Sequence, residues 1–149
     1  MAKLMFNSIL VICTGNICRS PTGERLLRKI IPDMKIDSAG TYGLAGHPAD
    51  VTAAEVAAAH GLSLDNHLAR KLTPAMAREY DLLMVMEPEH IEQVTAIAPE
   101  ARGKTMLFGQ WLGKKEIPDP YRKSPEAFEH IYRLLEQSSQ EWAKRLRKS

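Results

Sequence analysis

The chain predicts a three-layer α/β sandwich, a four-stranded parallel sheet flanked by helices on both faces, and three features carry that expectation. Four short apolar runs alternate with segments of helical periodicity, the order that builds parallel strands joined by right-handed crossovers. The first run, Ser8-Ile9-Leu10-Val11-Ile12, is apolar at every position after the serine, as a strand buried on both faces requires. The 149 residues, 44% of them hydrophobic, suit one domain over 1–149 with a core that needs no metal or disulfide.

The elements follow in order. Ser8 to Ile12 is the first strand. Pro21 suits an early helical position, and Leu26, Leu27 and Ile30 form an apolar stripe at helical spacing that Pro32 ends. Lys35 to Ser38 reads as a second, more exposed strand, and the Gly-rich stretch from Ala39 to Ala49 as a long loop. Thr52 to His60 is an Ala-rich helix stopped by Gly61. Thr73-Pro74 opens a short helix with Met76 and Tyr80 inward. Asp81 to Met86 is the next buried strand, followed from Pro88 by a helix to about Ala98. Lys104 to Phe108 is the fourth strand, and a breaker-rich loop holds Gly109, Gly113, Pro118 and Pro120. From Pro125, Phe128, Ile131, Tyr132, Leu134, Leu135, Trp142 and Leu146 mark a long closing helix.

Composition narrows the function. With 20 basic and 18 acidic residues the net charge is +2, too balanced for a nucleic-acid binder. The short apolar run at Ile9 to Ile12 does not read as a signal peptide, and no run reaches the roughly 20 apolar residues of a membrane span. A cytoplasmic location is expected. Two cysteines, Cys13 and Cys18, are too few for a secreted disulfide framework, and scattered histidines offer no zinc spacing. No cofactor or metal is expected.

The chemistry is concentrated in Cys13-Thr14-Gly15-Asn16-Ile17-Cys18-Arg19-Ser20, which follows the first strand. In open α/β sheets ligands bind outside the carboxyl ends of the strands. Five residues between Cys13 and Arg19 allow the backbone to curl around a tetrahedral anion, with N–H groups and a helix start supplying positive field. Gly15 and Asn16 tolerate left-handed geometry in such a curl. That field favours the thiolate of Cys13, Ser20 is placed to donate to it, and the Arg19 fork suits two oxygens of a transferring phosphoryl group. A plain buried structural cysteine is the competing reading of Cys13, but it leaves the rest of the string unexplained. Cys18 is read equally as a resolving thiol that protects Cys13 from over-oxidation and as a buried loop residue.

Thiolate attack on phosphorus leaves an oxyanion that needs a proton. Asp119, in Ile117-Pro118-Asp119-Pro120-Tyr121, is the candidate acid, held by flanking prolines; an ordinary turn aspartate is the alternative.

The chain resembles the low-molecular-weight protein-tyrosine phosphatases along nearly its whole length. It is most similar to the enterobacterial branch paired with autophosphorylating tyrosine kinases of capsule and exopolysaccharide production. The resemblance rests on VICTGNICRSP at 11–21, DSAGT at 37–41, HPAD at 47–50, MLFGQW at 106–111 and IPDPYRKS at 117–124. It implies Cys13 as nucleophile, Arg19 as phosphate clamp and Asp119 as general acid then base. It also implies Asn16, Ser20 and Ser38 as supports of the loop. His67 aligns with a structural histidine of that family, or is a surface histidine. The implied partner is a phosphotyrosyl protein, an autophosphorylating membrane-associated tyrosine kinase. Tyr121 is expected to flank the substrate ring and Leu44 to face it, with Tyr42 a rival for that wall. Arg122 and Lys123 form a basic rim suited to a multiply phosphorylated partner, or a solvated charge run.

Two other functions fit parts of the pattern. An arsenate reductase on the same fold needs further cysteines near 80–90, and Asp81 to His90 contains none. A non-catalytic phosphotyrosine binder has no need to keep Cys13, Arg19 and Asp119 together.

Overall fold

The computed structural model describes residues 6–146, so the ends of the expected 1–149 domain lie outside it. Four strands, β1 (Ser8–Cys13), β2 (Lys35–Gly40), β3 (Leu82–Val85) and β4 (Thr105–Leu107), form one all-parallel sheet in the order β2-β1-β3-β4. Five α-helices connect and close it: α1 (Arg19–Ile30), α2 (Val51–Ala59), α3 (Pro74–Glu79), α4 (Pro88–Ile97) and α5 (Pro125–Leu146). A 3-10 turn at Pro99–Lys104 leads into β4. The expected sandwich is the observed one.

Strand pleating separates the core into two layers. Ile9, Val11 and Cys13 of β1 point to one face, where Leu26 and Leu27 of α1 and Ile131, Leu135 and Trp142 of α5 cover them. Leu10 and Ile12 point to the other, against Leu83, Val85, Ala77, Tyr80 and Val94. Because β1 and β3 are buried on both faces, they have no polar alternation.

Three expectations need correction. β2 runs to Gly40 rather than Ser38, and only its start is exposed; at its end Gly40 pairs with the 70–72 backbone in an isolated parallel bridge. Asp81 and Met86 fall outside β3, and Lys104 and Phe108 outside β4, although the Asp81 N–H still donates to the Ser8 carbonyl and the Phe108 N–H to the Val85 carbonyl at the ends of the ladders. Met76 in α3 is only half-buried, whereas Tyr80, just beyond that helix, is buried.

The strand order fixes where a ligand fits. From β1 the chain crosses to β2 on one side and later to β3 on the other, so the β1–β3 boundary is the topological switch point. The segments leaving the carboxyl ends of β1 and β3 therefore face each other. Those segments are Thr14–Cys18 and Met86–Glu87.

Candidate active site

The loop after β1 is shaped by its carbonyl groups. The Cys13 carbonyl accepts from the Thr41 N–H at 2.9 Å, Thr14 from Tyr42 and Gly43 at 3.0 and 2.9 Å, and Gly15 from Leu44 at 3.0 Å. The Asn16 carbonyl accepts from His67 Nε2 at 2.6 Å, Ile17 from the Asp50 N–H at 2.8 Å, and Cys18 from the Thr22 hydroxyl at 3.0 Å. Six consecutive carbonyls are thus drawn outward. A peptide plane points its N–H opposite to its C=O, so the N–H groups of Thr14 to Arg19 turn inward around one point. This is a nest for a tetrahedral anion, with the start of α1 behind it.

Close packing against the 40–44 segment makes this possible. A Cβ on Gly40 would lie 2.4 Å from the Thr14 carbonyl oxygen, and Gly43, at φ +70°, would bring one within 2.6 Å of the Lys71 backbone. Within the loop itself, the left-handed residue is Asn16, at φ 61°. Of the two residues suited to left-handed geometry Gly15 does not use it, and a Cβ there would meet Leu44 at an ordinary 3.6 Å.

Asn16 holds its strained backbone with a fully buried side chain. Its Nδ2 donates to Ser20 Oγ at 2.8 Å and Ser38 Oγ at 3.0 Å, while its Oδ1 accepts from the Arg70 N–H at 2.9 Å. Ser38 in turn donates to the buried carboxylate of Glu24. That leaves the Ser20 hydroxyl hydrogen for Cys13 Sγ, 3.0 Å away. The network therefore presents a donor to the sulfur, which is the arrangement that stabilises a thiolate.

Arg19 is 2% exposed and sits across the nest. Its Nη1 donates to Glu87 Oε1 at 3.0 Å and to the Ile117 carbonyl at 2.8 Å. Both Nη1 hydrogens are consumed, so the Nε and Nη2 edge remains for an anion. Ile117 is fully buried and its N–H bonds to the Met86 carbonyl at 3.0 Å, which ties the loop ahead of Asp119 to the end of β3. Asp119 is 46% exposed; its Oδ1 accepts from the Tyr121 N–H at 3.0 Å, and its Oδ2 lies 3.9 Å from Arg19 Nη2. The carboxylate is fixed at the mouth with one oxygen directed at the guanidinium.

Cys13, Arg19 and Asp119 line one cleft of about 200 Å³, together with Thr14, Gly15, Ile17, Cys18, Tyr42, Leu44 and Tyr121. The choice between Leu44 and Tyr42 resolves as both. Ser38 does not reach the cleft and contacts the loop from behind through Asn16. Arg122 and Lys123 are exposed, and the Arg122 guanidinium stacks 5.3 Å from the Tyr121 ring centroid. Cys18 is a buried residue of the loop itself, where desolvation, with Asp50 and Cys13 adding to it, pushes its thiol far above the usual range. That upward shift disfavours a thiolate at Cys18, which weighs for the buried-residue reading over the resolving one.

Four residues were not foreseen as parts of this site or were set aside. His67 is 6% exposed, its pKa pulled down by burial, and it clamps the Asn16 carbonyl. Glu24, Glu87 and His90 gave no sequence signal of their own, although Glu87-Pro88 directly after a buried strand marks the second loop at the switch point. His90 Nδ1 accepts from the Glu87 N–H at 3.1 Å, closing the amino end of α4, and its Nε2 lies 2.9 Å from Thr14 Oγ1. Burial and the nearby Arg19 charge lower its pKa to about 4.

A thiol at the floor of an anion nest, a guanidinium across it and a carboxylate at its mouth meet at the switch point of an α/β sandwich, a combination chemically suited to phosphoryl transfer. Residues 8–149 match the family of low molecular weight phosphotyrosine protein phosphatases, and the chain belongs to that family. It is 73% identical to the low molecular weight protein-tyrosine-phosphatase Etp of Escherichia coli K12 over 98% of this chain and 99% of Etp. The crystal structure of the tyrosine phosphatase Wzb from Escherichia coli K30 in complex with sulphate superposes with a TM-score of 0.94 at 63% identity. That match covers 95% of this chain and 99% of Wzb. Vibrio vulnificus Wzb in complex with benzylphosphonate gives a TM-score of 0.93 at 55% identity over 95% of this chain and 99% of its own.

Proposed function

We propose that this chain hydrolyses protein phosphotyrosine in two steps through a phosphocysteine at Cys13. The observation that carries the reading is the Ser20–Cys13 contact at 3.0 Å, at the floor of a nest that Arg19 spans. The Cys13 thiolate attacks phosphorus, the bond from phosphorus to the tyrosyl oxygen breaks, and Asp119 gives its proton to that oxygen. Water then attacks the phosphocysteine and passes a proton to Asp119. The P–S bond breaks, inorganic phosphate leaves and the thiolate is restored. Arg19 and the inward N–H groups hold the equatorial oxygens throughout.

Selectivity follows from depth. Cys13 and Arg19 are each 2% exposed, below walls formed by Tyr42, Leu44 and Tyr121. A phosphotyrosine reaches that floor, while phosphoserine is too short. The partner that fits is a phosphotyrosyl protein, by resemblance an autophosphorylating, membrane-associated tyrosine kinase of capsule or exopolysaccharide production. A cytoplasmic setting suits two free thiols at one site.

The test is phosphate release from a phosphotyrosyl and a matched phosphoseryl peptide, with EDTA present, by the wild type and Cys13→Ser. The expected result is release from phosphotyrosine only, unaffected by EDTA and abolished by the substitution. No release from either peptide by reduced wild-type protein would bring arsenate reduction or simple phosphotyrosine binding to the front.

A further inference from the structure

The hydrogen-bond chain from Glu87 to Thr14 has a fixed direction. The Glu87 N–H can only donate, so His90 Nδ1 accepts it and carries no proton. A neutral imidazole then bears its proton on Nε2, which donates to Thr14 Oγ1 at 2.9 Å. Thr14 Oγ1 is therefore the acceptor of that bond, and its own hydroxyl hydrogen remains available. No other hydrogen bond of this hydroxyl occurs among the described residues, and Thr14 lines the cleft. Donation from the imidazole polarises the hydroxyl and makes it a better donor.

Height separates this donor from the phosphate groups. Cys13, Arg19 and Ser20 are buried at the floor, whereas Thr14 is exposed. Thr14 lines the same cleft from a position nearer the solvent. Building on the phosphatase reading above, we infer that Thr14 is a specificity-determining residue whose hydroxyl donates to a carbonyl of the phosphopeptide flanking the phosphotyrosine. His90 is the positioning residue that orients it. The nest and Arg19 discriminate phosphate; the Thr14–His90 pair discriminates a peptide from a bare aryl phosphate.

The experiment compares kcat/KM for a phosphotyrosyl peptide and for p-nitrophenyl phosphate, and reads their ratio. In Thr14→Val the ratio falls about fivefold, the weight of one neutral hydrogen bond, mainly through a higher peptide KM. Thr14→Ser keeps the wild-type ratio. His90→Ala lowers the ratio like Thr14→Val, adds nothing on the Thr14→Val background, and His90→Gln restores it. A Thr14→Val protein that loses equal factors on both substrates, or neither, overturns the inference and leaves the phosphatase reading standing. So does a His90→Ala effect that persists in full without the threonine hydroxyl. Absence of phosphate release from both substrates by the wild type overturns the phosphatase reading, and this inference falls with it.

Discussion

Arg19 Nη1 and Glu87 Oε1 form an ion pair at 3.0 Å in which the guanidinium is 2% exposed and the carboxylate 23%. With Nη1 also committed to Ile117, the carboxylate that balances the Arg19 charge is Glu87. Asp119 is farther, at 3.9 Å, and half-exposed.

Glu87→Ala leaves a buried guanidinium under-compensated. Breaking a fully buried pair costs about 3–5 kcal/mol, and the partial exposure of Glu87 reduces that to about 2 kcal/mol here. A bound anion replaces the missing charge, so inorganic phosphate raises the urea midpoint of the variant more than that of the wild type. Equal phosphate stabilisation of both proteins would show that Glu87 does not balance Arg19.

The Ser20 hydroxyl is aimed at Cys13 by Asn16 and Ser38. A hydrogen bond to a charged group contributes about 1.5–3 kcal/mol, so Ser20→Ala removes that stabilisation from the reacting sulfur and slows its reactions roughly tenfold. Iodoacetamide alkylation of Cys13 at pH 6 slows accordingly. Native protein takes up one label, on Cys13, because Ser20 donates to the Cys13 sulfur, whereas desolvation pushes the Cys18 thiol upward and disfavours its reactive thiolate. Labelling of Cys18 at a comparable rate, or no change in Ser20→Ala, counts against this account.

How far the sequence reached depended on how local each feature is. β1 was legible because Ile9 to Ile12 leave no polar face, and the nest because Cys13 to Ser20 are contiguous. What braces the nest comes from far away. Asn16 meets His67 across 51 positions, Arg19 meets Glu87 across 68, and Thr14 meets His90 across 76. Only the strand order brings these together, and a lone His or Glu in a helix start carries no spacing that reveals it. Of Gly15 and Asn16, both suited to a left-handed turn, the sequence could not choose; the turn falls on Asn16, whose side chain has three partners to hold it.

Asp119 has one oxygen tied to the Tyr121 N–H and the other turned toward Arg19. As the acid for the leaving oxygen, it matters most when that oxygen is basic. Asp119→Asn lowers kcat by about 100-fold for phenyl phosphate, in the range for a general acid, and much less for p-nitrophenyl phosphate, whose leaving group needs little help. Equal losses on both substrates would assign Asp119 a role in shaping the cleft instead.

His90 makes the fold sensitive to acid in a predictable window. It is 1% exposed, faces Thr14, Glu87, Arg19 and Asp119, and burial and the Arg19 charge depress its pKa from 6.5 to about 4. A depressed histidine binds its proton more readily unfolded than folded. Its contribution to stability is therefore intact above about pH 6.5 and is lost progressively as pH falls toward 4. Protonation would also set an Nδ1–H against the Glu87 N–H, undoing the cap of α4. The full loss is on the order of 3 kcal/mol, and buried His67, shifted in the same direction, adds to it. His90→Gln keeps an acceptor for Glu87 and a donor for Thr14 but does not titrate. Urea midpoints measured from pH 7 to 4.5 should fall less steeply for His90→Gln than for the wild type. Parallel slopes would place the acid sensitivity elsewhere, with His67 as the next group to replace.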